Sequence, residues 1–220
     1  MTLYVDPSSS LASARPILRG RLHQLAFLGS IVGLVALVKE ASTPRATVVA
    51  WVYGLASVLL YLTSSSYHVF AKSPRARRLM QRADHSMIFV LIAGSFTPIA
   101  VLAVPNPWRW PALGAMWAGA AAGVALKLVA MDRYPKLTSA LYIVLGWAGA
   151  TIFPTLWHRP GTLSLVALGG ALYTSGALMF ALRRPRLSPR WFGYHEVWHS
   201  FGVAAGILFY AANLGLVRAG

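Results

Sequence analysis

The sequence predicts an all-α integral membrane protein, a seven-transmembrane helix bundle with its amino terminus in the cytoplasm. Three observations carry that expectation. Hydrophobic residues make up 57% of the 220-residue chain and the mean hydropathy is +0.58, above the usual range for a soluble domain. Apolar stretches of about 20 residues, the length that crosses a hydrocarbon core of roughly 30 Å, recur with short polar connections between them. The basic residues fall mainly on alternate connections.

Residues 1–21 are polar and basic and read as a cytoplasmic tail; 22–217 form the membrane domain. The first span, 22–38, is the shortest and lacks a small-residue cleavage site, so it reads as a retained helix and not a secretory signal. The second, 48–67, closes on the polar cluster Ser64-Ser65-Ser66-Tyr67-His68. The Ser73-Pro74 turn and a basic run precede the third span, 87–104, which holds Pro98. The fourth, 111–130, follows Pro105-Asn106-Pro107 and is rich in small residues (Gly114, Ala118, Gly119, Ala122, Gly123) suited to close helix contact. The fifth, 137–157, contains Pro154; both internal prolines should kink their helices. Arg159-Pro160-Gly161 leads into the sixth, 163–182, and Arg184-Pro185 follows it. The seventh, 195–217, opens with His195-Glu196-Val197-Trp198-His199. No internal repeat is evident, and an odd helix count argues against two inverted halves.

The net charge of +15 could suggest a nucleic-acid partner, but its distribution points to topology. With the amino terminus inside, cytoplasmic segments carry Arg15, Arg19, Arg21, Lys72, Arg75, Arg77, Arg78, Arg82, Lys127, Arg133, Lys136, Arg183, Arg184, Arg186 and Arg190. The other side carries Lys39, Arg45, Arg109, Arg159 and Arg218, so 15 of the 20 basic residues are inside. Trp51, Trp108, Trp110 and Trp157 fall near the outer boundary and Trp191 near the inner one, as interfacial aromatics do. This is the expected pattern of a multi-pass protein of the bacterial inner membrane, with membrane lipids as its surroundings and partners.

Only five residues are acidic and cysteine is absent, so any metal must be held by histidine and carboxylate. Asp84 and Glu196 lie at membrane depth, where ionisable groups are costly and mark function. Topology brings Ser64 and His68, Asp84 and His85, and His195 and His199 to one leaflet. Residues i and i+4 share a helix face, so His195 and His199 form a pair to which His68 adds a third imidazole. Three histidines with an open fourth position make a catalytic zinc site, with Asp84 hydrogen-bonding the water or a ligand N–H. His23 reads as interfacial, His158 lies on the far side, His85 points about 100° from Asp84, and Lys127 snorkels to the boundary. His195-Glu196-Val197-Trp198-His199 also matches H-E-x-x-H, in which Glu196 is a general base; its third ligand would come from upstream, from His68 or Asp84.

Ser64-x-x-x-His68, the stretch Asp84-His85-Ser86-Met87-Ile88-Phe89 with Ile92-Ala93-Gly94-Ser95-Phe96-Thr97-Pro98, and His195-x-x-x-His199 together resemble the bacterial hemolysin III proteins. These belong with the progestin and adipoQ receptors. The resemblance covers about residues 15–217. It implies seven helices, a cytoplasmic amino terminus, and zinc held by His68, His195 and His199, with Ser64 supporting and Asp84 contacting water. Eukaryotic relatives and the alkaline ceramidases suggest hydrolysis of a lipid amide; the family name suggests cytolysis, and other proposals concern membrane fluidity.

The leading expectation is therefore a zinc-dependent hydrolase of lipid amides or esters, with Asp84 as base and Ser64 donating to the oxyanion. The alternatives are a receptor-like or cytolytic membrane protein with structural zinc, and an intramembrane protease using Glu196.

Overall fold

The computed structural model describes residues 16–131, 133–188 and 190–220, and for 135–139 the backbone alone. Arg15 and the rest of residues 1–15, together with the Lys136 side chain, lie outside the described residues. Among those described, the chain is helical, with no strand beyond a single bridge between Ser188 and Phe192. The helices are α1 (Arg21–Lys39), α2 (Pro44–Phe70), α3 (Pro74–Ala103), α4 (Arg109–Ala130), α5 (Pro135–Ala148), α6 (Pro160–Ala181) and α7 (Tyr194–Ala219). All but α5 are long and apolar enough to cross a membrane. A 3-10 segment, Gly149–Leu156, prolongs α5. The pair rises ~37 Å, enough to span as well.

Local sequence explains the boundaries. Thr43 and Ser73 cap α2 and α3 by accepting from the N–H groups of Ala46 and Ala76, with proline at the first helical position each time. α3 corrects the expected third span. It begins thirteen residues before position 87 and takes in the basic run, because charge depresses hydropathy without disfavouring helix. Pro98 sits inside an unbroken α3. Pro154 instead lies in the 3-10 stretch, so the fifth span changes helix type.

Each helix touches the next, and α7 closes the ring by packing on α1. α3 is the most enclosed element, contacting α2, α4, α5, the 3-10 segment and α7. Phe89, Phe96, Ile99, Met116, Leu156 and Leu216 interlock around it, while Leu37, Val49, Tyr53, Leu60, Leu91 and Val217 fill the α1–α2–α7 side. Gly94 lets α2 come close: a Cβ there would stand 2.5 Å from that of Ala56. The outward surface is apolar too, with Leu25, Val32, Val48, Val129, Leu168 and Ile207 exposed. Trp51, Trp108, Trp110, Trp157 and Trp191 are also exposed.

Residues 16–20 are held rather than free. Ile17 N–H donates to the Arg190 carbonyl at 3.0 Å, beside the start of α7. Gly20 then caps α1 with φ +81°, and a Cβ on it would meet the His68 Cβ at 2.6 Å. Glycine is required there for both conformation and space. The contact sets the start of α1 directly against the end of α2.

Candidate metal centre

Four helix segments deliver polar groups to one end of the bundle. α2 brings Ser64 and His68 in its last two turns, α7 brings His195 and His199 in its first two, and α3 brings Asp84. His68, Ser64, Asp84 and His199 are buried and His195 is partly so. One ring nitrogen from each of His68, His195 and His199 can be chosen so that all lie within 4.8 Å of one another. The Nε2 atoms of His68 and His195 are 3.3 Å apart. Two nitrogens on a tetrahedral zinc at its usual bond length lie about 3.3–3.4 Å apart, so this spacing needs little adjustment.

Further observations bear on whether a metal fits. The Nε2 atom of His199 is buried and has no hydrogen-bond partner, an arrangement that ordinarily calls for an ion or water. The Asp84 Oδ2 atom stands 3.9 Å from His68 Nε2. The donor set is nitrogen with one carboxylate and no thiolate, which suits zinc. The residues fit the ion.

The fourth segment, α1, corrects an expectation. His23, in its first turn, is buried in this cluster and does not sit at the interface. Its Nε2 atom is 2.7 Å and its Nδ1 atom 2.9 Å from His199 Nδ1, and Nδ1 is 2.8 Å from the Ser64 hydroxyl. The Tyr61 ring packs edge-on against His23, centroids 5.2 Å apart. The sequence does carry one signal for it: His23 opens a helix at the same depth as the other three histidines.

Lys127 is the other correction. It is fully buried on α4, with its ammonium 4.8 Å from the centre of the Tyr142 ring, not extended to the boundary. The cation–π contact and close helix packing hold it in. His85 stands away from the imidazole cluster, its carbonyl accepting from the Tyr142 hydroxyl at 3.1 Å. His158 is exposed at the opposite end.

Glu196 faces away from the imidazoles. One carboxylate oxygen pairs with the Arg19 guanidinium. The other accepts from the Gly193 N–H at 2.8 Å, capping α7. Both oxygens are thus engaged in contacts with Arg19 and the start of α7.

A family profile described as Haemolysin-III related matches residues 12–210. The chain belongs to the haemolysin-III-related family. As a family member it is similar to Hemolysin-3 of Bacillus cereus, 30% identical over 193 residues covering 86% of this chain and 85% of that protein. The Hemolysin-3 homolog of Bacillus subtilis is 28% identical over 197 residues, 85% of this chain and 88% of its own. The human Monocyte to macrophage differentiation factor is 24% identical over 194 residues, 86% of this chain and 79% of its own. With six long apolar helices among the described residues and these relatives, this haemolysin-III-related chain is a multi-pass protein of the cell membrane.

Proposed function

We propose that this protein binds zinc through His68, His195 and His199 and hydrolyses an amide or ester bond of a membrane lipid. The domain lies in a bacterial inner membrane with its amino terminus, a basic tail of residues 1–21, in the cytoplasm and the site at the cytoplasmic leaflet. The observation that carries the reading is the convergence of three imidazoles, one of them His199 with a buried, partnerless Nε2, and the Asp84 carboxyl beside His68.

Bound zinc supplies an acidified water and polarises a carbonyl. Asp84 accepts the proton of the attacking water and returns it to the departing amine or alkoxide. Ser64, whose oxygen stands 2.8 Å from His23 Nδ1, donates its proton to the developing oxyanion. An apolar cavity of about 420 Å³ between α1, α2, α6 and α7 supports a lipid substrate. Gly33, Leu37, Val203 and Phe209 line it, and Tyr61, which touches His23, forms part of its wall.

One observation favours a second reading, a non-enzymatic protein with structural zinc. Asp84 is near enough to His68 to become a fourth ligand with a small movement, and four protein ligands close a site. Asp84→Asn separates the two. As a base, Asp84 is dispensable for binding, so the variant keeps its zinc and loses turnover of ceramide-like amides or phospholipid esters. Loss of zinc from the variant, with no turnover by wild type, selects the structural reading.

A further inference from the structure

We propose that His23 is a positioning residue for the metal centre, fixing the tautomer of His199 through a one-directional hydrogen-bond chain that runs through His23 to Ser64. The inference rests on the zinc-binding reading above and adds to it a residue on a fourth helix.

The proton count gives the chain its direction. A neutral imidazole carries one donor and one acceptor nitrogen. For His199 to present a lone pair at Nε2, its proton must sit on Nδ1, which faces the edge of the His23 ring, 2.7 Å from Nε2 and 2.9 Å from Nδ1; Nδ1 of His23 is the nitrogen turned to Ser64, so Nε2 is the one left to accept. His23 Nε2 is then the acceptor, and its own proton sits on Nδ1, facing the Ser64 oxygen at 2.8 Å. Each imidazole proton of the chain then faces an acceptor, His23 Nε2 for His199 and the Ser64 oxygen for His23. The reverse direction puts a proton on His199 Nε2, a buried atom with no acceptor.

The surroundings fix the ring that does this. His23 is 7% exposed, its ring lies at 68° to that of His199 with centroids 3.8 Å apart, and Tyr61 braces its other side. A second carboxylate or carbonyl commonly plays this part for zinc-bound histidines. Here a histidine does so, because α1 starts against His68 through Gly20.

The test measures zinc affinity of the full-length protein in detergent by chelator competition, for wild type, His23→Gln and His23→Leu. Glutamine can accept from His199 through its carbonyl and donate to Ser64 through its amide; leucine can do neither. The expected result is affinity about 10–100-fold weaker for His23→Leu, with His23→Gln recovering most of it. Wild-type affinity in His23→Leu, or glutamine as weak as leucine, overturns the proposal. Nitrogen-15 spectra of histidine-labelled, metal-free wild type, with His199 assigned by its glutamine variant, give a readout independent of metal and of whether His23→Leu folds. A proton on His199 Nδ1 is expected, and one on Nε2 overturns the proposal. If wild type binds no zinc at all, the parent reading fails, and the tautomer alone still decides the role of His23.

Discussion

His68 and His195, 127 residues apart in the chain, hold their Nε2 atoms 3.3 Å apart at the junction of α2 and α7. Neither helix alone could present that spacing, and it matches two ligands of one tetrahedral ion. Purified protein should therefore carry about one zinc. Replacing His68, His195 or His199 with alanine should each weaken binding roughly 100-fold or more, because only two imidazoles remain. His158→Ala, at the opposite end, serves as the control. Full zinc content in the His68→Ala protein, read by elemental analysis, would remove the three-histidine model.

Glu196 is predicted to matter for stability and not for chemistry. Glutamine retains the cap on Gly193 and a polar contact to Arg19, so Glu196→Gln should lose about 1 kcal/mol and leave any lipid hydrolysis intact. Glu196→Leu leaves Arg19 without its partner and α7 without its cap, and should cost roughly 3 kcal/mol. Thermal unfolding in detergent measures both. An inactive, fully stable Glu196→Gln protein would restore the protease reading.

Gly20 is a tight point of contact between helices. Alanine there must adopt a left-handed backbone, at roughly 1–2 kcal/mol, and its Cβ would press on that of His68. Gly20→Ala should lower thermal stability and weaken zinc binding together, since the displaced group is a ligand. Gly29→Ala in the same helix, where a Cβ meets nothing within 4 Å, should leave both unchanged. Equal behaviour of the two variants would contradict the close approach.

Orientation is predicted from charge. A reporter fused after Arg186 should register in the cytoplasm and one after Arg218 outside, because α7 lies between them and, with the buried Lys127 set aside, 14 of the 20 basic residues favour this sense. The same side for both would mean that α7 does not cross.

Part of the site is legible in the chain alone. His195 and His199 share a face by helical period, and the alternation of charged connections puts His68 and Asp84 at the same end. Lys127 is not legible in this way, because its hydropathy fits a boundary residue equally well; its burial depends on Tyr142, from a different helix. His23 escapes for a related reason. A single histidine at a helix start carries no period and no partner in the sequence, so nothing local separates an interfacial ring from a buried one.

The sequence by itself determined the helix count, the approximate spans and the three imidazoles, because length, hydropathy and the 3.6-residue period are local properties. Tertiary structure decided the rest. It extended α3 through the basic run under the Ser73 cap, divided the fifth span at the Pro154 segment, turned Glu196 toward Arg19, and set α1 against His68 through Gly20. That last contact brings His23 onto His199. Each of these depends on which helices meet and how closely, and a chain's order states neither.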